Sequence, residues 1–430
     1  MYAQLAVCSL LSTVAFAARA PVDNGIKFPF SRNHKTVTND DGTVNPEWYF
    51  GELKHTVGKY GMKVKLPGKA GEVVRRGTSS IPDAFEPLKD QGNDLLYYGI
   101  ATVGAENDKP QAFTTDFDTG SADFFVPGPT CGTAQGCVGK IKYDRGGVDE
   151  GNTTAVTYGS GMIMGENYFD SVDVAGLTAE NTNVISLTSA QGFSTSKSAA
   201  RMGMAFSTIA RSKQPTWFEN LITQKVISNP DFSFFLGGRA SDRFRGPVTK
   251  IPLSAETYWQ VAVDTVLVNG KKAPAFDPTV GNAAIDTGTT LVIAPTLATA
   301  SIYSRVPGAF PVPVSGTNLL VYAYPCKQTP NVAFQFGGKG RKFATNKKDF
   351  SLGTITTNFA EFIGDDGMAR RLADTQYCLG SVAGADINPG LNLYVVGDTF
   401  LKNWYSIYSY NNDGGKPSVS FAKASVSIPS

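Results

Sequence analysis

Residues 114–125 read TTDFDTGSADFF and residues 283–292 read AAIDTGTTLV. In both, an apolar run ends on an aspartate that Thr-Gly-Ser or Thr-Gly-Thr follows at once, and Asp286 comes 168 positions after Asp118. Burying a carboxylate costs free energy unless it is paired, hydrogen-bonded or protonated. A single such turn is a solvated β-turn; two in matching contexts predict two carboxylates brought together for a purpose.

Around these phrases the chain is written in short alternating or apolar runs, such as LLYYGIATVG (95–104), FSFFLGG (232–238), YWQVAVDTVLV (258–268) and NLYVVGDTF (392–400). With 45 Gly and 24 Pro to punctuate them, these runs predict strands and a mostly β body. Helices are expected only at 215–227 (PTWFENLITQKVI) and 399–408 (TFLKNWYSIY). A two-fold echo runs through the body: each half has its Asp-Thr-Gly and, later, an apolar pair beside Gly, at Met202-Gly203-Met204 and Val395-Val396-Gly397. Duplicated lobes are the expectation, 77–245 and 246–430, with the turn-rich 237–247 as their seam.

At 42% hydrophobic and 18% charged, the composition is that of a globular protein and excludes disorder and coiled coil. Residues 1–17 carry no charge and end in Ala15-Phe16-Ala17, which reads as a secretory signal peptide, the alternative being a buried N-terminal helix. Residues 18–76 hold 11 Lys/Arg against 6 Asp/Glu, both histidines (His34 and His55), and end in Arg75-Arg76. Cleavage after Arg76 would leave 354 residues with 28 Lys/Arg and 31 Asp/Glu, so a basic prosegment would be drawn to a mildly acidic body. The competing reading is a flexible basic tail. Four cysteines follow the leader and allow three pairings. Proximity favours Cys131–Cys137 and Cys326–Cys378, with free thiols as the alternative.

The chain after Arg76 contains no histidine. That removes Ser-His and Cys-His nucleophiles and histidine-ligated zinc, and no phosphate-cradling glycine motif is present. Carboxylates remain, and a close pair can hold one proton between them so that one acts as base and the other as acid. In this arrangement Gly120 and Gly288 permit the tight turns. Thr119 and Thr287 bond across to the opposite turn, and Ser121 and Thr289 each donate to their own aspartate.

In DFDTGSAD, VTYGSG, AIDTGTT, YVVGD and the YWQVAVD…VNG run, from about Leu95 to the end, the sequence resembles the pepsin family of aspartic peptidases, in its secreted fungal form because Asp116 and Asp123 surround the first turn. The resemblance implies an all-β bilobal fold with a central cleft and a catalytic pair Asp118 and Asp286. It also implies a substrate-binding flap tipped by Tyr158, Gly159 and Ser160, and a prosegment lysine on the pair, for which Lys63 and Lys65 are candidates. Protein or peptide substrates and the chain's own prosegment are the expected partners. No metal, cofactor, nucleic acid or membrane is expected, and the molecule should be a monomer. A catalytically inactive binding protein and a two-carboxylate glycosidase are the rival readings.

Two departures from the family pattern stand out. Phe125 replaces the usual Trp, so the flap tyrosine lacks an indole partner. Ala199-Ala200-Arg201-Met202-Gly203 replaces Asp-Gly-Ile-Leu-Gly. Residues two apart on a strand face the same way, so Asp116 shares a side with Asp118 and is expected in the pocket for the residue preceding the scissile bond. Either Asp116 and Arg201 pair there, giving an apolar preference, or Arg201 reaches solvent and Asp116 accepts a basic side chain. Asn152 opens an Asn-Thr-Thr glycosylation sequon.

Overall fold

The structure, a computed structural model, describes residues 26–30, 39, 41–62, 88–90, 97–105, 109–137, 141–158, 161–191, 199–236, 244–272, 280–314, 317–356, 359, 376–387, 390, 392–410 and 415–424. The expected leader, the Arg76 cleavage point, Lys63, Lys65, Gly159 and Ser160 lie outside the described residues.

Among the described residues strands dominate and form three sheets. The first has eight strands and includes β1 (Gln111–Asp118), β2 (Phe124–Pro127), the long hairpin β3 (Val148–Tyr158) and β4 (Gly161–Val174), and β5 (Ala200–Gly203). The second has twelve and includes β6 (Gly281–Ile285), β7 (Val292–Ala294) and β8 (Leu393–Val396). Both place their Asp-Thr-Gly turn in the same strand pattern. In the first, β1 runs parallel to β5, with Asp116 beside Arg201 and Asp118 beside Gly203, and β2 runs antiparallel to β5. In the second, β6 runs parallel to β8, with Ala284 beside Val395, and β7 runs antiparallel to β8. The duplication echoed in the sequence is a repeat of this three-strand unit.

A third sheet joins the halves. Its five strands lie in the order Ile26–Phe30, Asp231–Leu236, Trp404–Ser409, Ser418–Ala424, Phe244–Pro252. The expected seam therefore runs into an edge strand of a sheet that draws on both halves, while 237–243 fall outside the described residues. Phe232, Trp259, Tyr408 and Tyr410 pack ring against ring above this sheet, at 5.0–5.5 Å between centroids. Trp259 Nε1 donates to the Met204 carbonyl at 2.8 Å, tying the two halves near both turns.

Two helix expectations change. The first is real but shorter, Trp217–Thr223: Thr216 and Glu219 form a reciprocal capping box, and Lys225, at φ 58°, has left helical geometry. The second is a single turn, Asp398–Leu401, followed by strand Trp404–Ser409. WYSIYS is aromatic and β-branched, and pairing on both edges settles a run that periodicity alone leaves ambiguous.

Upstream of the body, helix α1 spans Pro46–Lys59, with Pro46 in its first turn and the Asn45 side chain accepting from Trp48 N at 3.1 Å. Charge attraction was the expected reason for this segment to dock, yet its main contact is apolar. Tyr49, Phe50, Leu53 and Val57 are buried and share a core with Leu291, Ile293, Phe310 and Phe359. Truncating one of these large side chains costs about 3–5 kcal/mol. Phe50→Ala should therefore loosen residues 46–62 while the three sheets stay intact. Hydrogen exchange should show faster exchange in that segment alone; unchanged protection there would contradict the packing described.

Candidate active site

Strands β1 and β6 end on Asp118 and just before Asp286, and the two turns face each other across the junction of the halves. Four hydrogen bonds lock them. Thr119 N donates to Thr287 Oγ1 at 3.1 Å and Thr287 N donates to Thr119 Oγ1 at 2.9 Å. Each hydroxyl then donates onward into the other half, Thr119 Oγ1 to the Ile285 carbonyl (2.8 Å) and Thr287 Oγ1 to the Phe117 carbonyl (2.7 Å). A hydroxyl is needed at both positions because each one accepts and donates at once.

The carboxylates are held in matching ways. Gly120 N donates to Asp118 Oδ1 (2.8 Å) and Ser121 Oγ to Asp118 Oδ2 (2.6 Å); Gly288 N donates to Asp286 Oδ1 (2.9 Å) and Thr289 Oγ1 to Asp286 Oδ2 (2.6 Å). Both side chains are fully buried. A Cβ on Gly120 would lie 2.6 Å from the Asp286 carboxyl carbon, and one on Gly288 would strike Asp118. The glycines are there because each carboxylate rests on the opposite turn.

Between the two acids sits Lys59, the last residue of α1. Its Nζ lies 2.5 Å from Asp118 Oδ1 and 2.9 and 3.0 Å from the Asp286 oxygens, and Tyr60 OH donates to Asp286 Oδ2 at 3.0 Å. Lys63 and Lys65, the expected candidates, lie outside the described residues; among the described residues the lysine on the pair is Lys59. Sequence reasoning passed over it because the segment was read for total charge; the Pro46 start and the apolar positions 49, 50, 53 and 57 would have placed Lys59-Tyr60 at the end of a docked helix.

Arg201 is buried beside Asp118. Its Nε is 3.0 Å from Asp116 Oδ2, its Nη1 3.4 Å from Asp118 Oδ2, and its Nη2 donates to His55 Nε2 at 3.3 Å. Asp116 and Arg201 thus form the ion pair that was one of the two expectations. The cluster's electrostatics follow from burial and these charges. Burial pushes Asp116 up to about 7, against the pull of Arg201. Burial also acts to raise Asp118, but Lys59 and Arg201 together outweigh it and hold that carboxyl well below the usual range. Asp286 is raised, by burial first and by the nearby Asp118 charge, although Lys59 opposes both. His55 is pushed down to about 3 by burial and by the Arg201 and Lys59 cations.

Other expected residues fall as follows. Phe125 is buried in a small cluster with Val156 and Ile163 of the β3–β4 hairpin and with Cys131 and Cys137. Tyr158 ends β3, its backbone opposite Gly161. Cys131 is bonded to Cys137 and Cys326 to Cys378. Asn152 is exposed on β3, where its side-chain oxygen accepts from Asn167 Nδ2. Asp123 stands away from the pair and accepts from Arg211 N and Ser212 N at 2.8 and 3.0 Å, a loop-fastening role. Glu52 and His55 on α1, both beside Arg201, were not foreseen: Glu52 Oε1 accepts from Thr290 N at 3.0 Å.

Residues 96–424 match the eukaryotic aspartyl protease family. The chain is 32% identical to an aspartic protease of Phaffia rhodozyma, over 97% of each chain. It is 29% identical to cathepsin D of Dictyostelium discoideum, covering 76% of this chain and 83% of that one. A probable vacuolar protease A of Arthroderma benhamiae is 30% identical over 78% of this chain and 80% of its own.

The crossed threonines give a stability test. Thr119→Val would leave Thr287 N and the Ile285 carbonyl buried without partners, at about 1–3 kcal/mol for each group. Thr119→Ser keeps the hydroxyl. Denaturant unfolding should show the valine variant losing several times more stability than the serine variant; equal losses would mean that the cross-bonds contribute little.

Proposed function

The chain belongs to the eukaryotic aspartyl protease family and is an aspartic endopeptidase, and on that premise we propose that it is secreted and uses Asp118 and Asp286 to activate a water at acidic pH. One observation carries the reading: two buried carboxylates, each held by the same pair of donors, converge on the single point that the Lys59 ammonium occupies. Once α1 has left, a water at that point would touch both acids. The ionised aspartate takes a proton from the water as its oxygen bonds to the peptide carbonyl carbon, and the protonated aspartate gives its proton to the carbonyl oxygen. When the C–N bond breaks, the leaving nitrogen takes up the proton held by the base, and a hydroxyl on the tetrahedral carbon returns its proton to the other aspartate as the new carboxyl group forms. The intact donors on both turns leave a binding-only role without support.

Export is supported by the apolar leader 1–17 and by two disulfides, which persist in oxidising compartments; the name vacuolar protease A gives one relative a different destination. We place the lobes at 77–245 and 246–430, the cleavage after Arg76, the flap at Tyr158–Ser160 and a glycan at Asn152. Asp116, Arg201 and Phe125 belong to the substrate side of the first lobe. In the uncleaved chain α1 occupies the cleft and Lys59 neutralises the pair, so residues 18–76 act as an intramolecular inhibitor.

Replacing Asp118 or Asp286 with Asn should leave the fold intact and reduce peptidase turnover at least about a hundredfold, the lower range for a lost acid–base group. Processed enzyme retaining a tenth of its turnover after either change would sink the mechanism.

Release of α1 should depend on pH through His55. Docked, the imidazole is held down to about 3 from its ordinary 6.5, so only the released form takes up a proton across that window. Docking is at full strength above about 6.5 and weakens as pH falls, by about 1.4 kcal/mol per pH unit, until about 3. Glu52, raised by burial, works against this near the carboxylate range, and Asp118 contributes only below that range. His55→Gln keeps an acceptor for Arg201 but cannot titrate. Hydrogen exchange of residues 46–62 should show the wild-type segment loosening between pH 6 and 4 and the variant much less; identical midpoints would remove His55 as the trigger.

A further inference from the structure

The two halves repeat the same three-strand unit, yet they differ at one pair of positions two residues before each turn's aspartate and glycine. Asp116 sits beside Arg201 where β1 meets β5. By register, the corresponding residues where β6 meets β8 are Ala284 and Val395, both fully buried and apolar. One turn therefore has an ion pair beside it, and the matching positions of the other are apolar. The cation of that pair reaches the active carboxylate itself, with Arg201 Nη1 3.4 Å from Asp118 Oδ2.

The charges around this carboxylate can be named by element. From α1 come Lys59, His55 and Glu52, with Tyr60 just beyond the helix; from the opposite turn comes Asp286; from β1 itself comes Asp116; and from β5 comes Arg201. All of the α1 groups go with the prosegment. In the processed body Arg201 is then, among the described residues, the cation that stays against Asp118. In the intact chain burial favours the neutral form of Asp116, and wherever Asp116 takes up a proton in acid, Asp118 remains as an ionised partner of Arg201.

We propose that Arg201 is a positioning residue that keeps Asp118 as the ionised member of the pair and leaves the shared proton on Asp286. This rests on the peptidase reading above and adds roles within it: Asp118 is the base that takes the water's proton, and Asp286 is the acid that protonates the carbonyl oxygen. It also implies activity at lower pH than a pair without such a cation could sustain, because the acid limb of the profile marks loss of the single negative charge.

The test copies the apolar pair of one half into the other. In Asp116→Ala/Arg201→Val both charges go together, so no buried partner is left alone. An opposite charge at this range lowers a carboxyl by about 1–3 units. The acid limb of kcat/KM against pH for the processed double variant should therefore move up by about one unit or more, costing about tenfold in activity on that limb. Asp116→Asn, which keeps the cation, should leave the limb in place or move it further into acid, and Arg201→Lys should stay near wild type. The pH dependence of binding to a statine-type inhibitor should shift in parallel, which reads the pair without turnover. A limb unmoved in the double variant, or raised equally by Asp116→Asn, overturns the proposal. Failure of the peptidase reading looks different: wild-type enzyme with no turnover that depends on Asp118.

Discussion

Two carboxylates buried against each other cannot both be charged unless something positive lies between them. At separations of a few ångströms in a shielded site, the repulsion exceeds anything the surrounding hydrogen bonds return. Much of the structure can be understood as a response to that constraint. The donors from Gly120, Ser121, Gly288 and Thr289 stabilise charge on each acid but cannot cancel it. Lys59 does so in the intact chain. On the reading proposed, a shared proton does so afterwards.

Holding the acids at that separation falls to the backbone. Each turn leaves the end of a strand fixed on both sides, and the crossed threonines bond each half to the other's chain rather than to its own. Trp259 adds a second tie through Met204, and the shared five-stranded sheet closes the base. These ties keep the two lobes from drifting apart at the point where a small displacement would break the alignment of both carboxylates with one reactant.

The repeated Asp-Thr-Gly phrases made the pair, its supporting hydroxyls and the β-rich body legible, because each residue there has a local reason that follows from its own chemistry. The Asp116–Arg201 contact was legible as one of two options, since strand alternation fixes which side Asp116 faces but not where a long arginine ends. Lys59 was hidden because its role depends on where α1 docks, and an apolar face buried against Leu291 and Phe359 sets that position. Residues 404–409 were misread for a similar reason: the run carries aromatic residues that suit a helix or a strand, and the neighbouring strands decide.

On the function proposed, the charge balance would also link inhibition to acidity. Docked α1 brings Lys59 to the pair and a neutral His55 to Arg201. When α1 leaves, the pair loses one positive charge, and a single proton restores it. A lysine and a proton are therefore alternative occupants of one electrostatic vacancy, and conditions that supply the second favour departure of the first. His55 works in the same direction, since it is buried between two cations and cannot accept a proton until it is released. The same cluster would thus silence the enzyme near neutrality and prepare its working protonation state in acid, with Arg201 present in both states to fix which aspartate carries the charge.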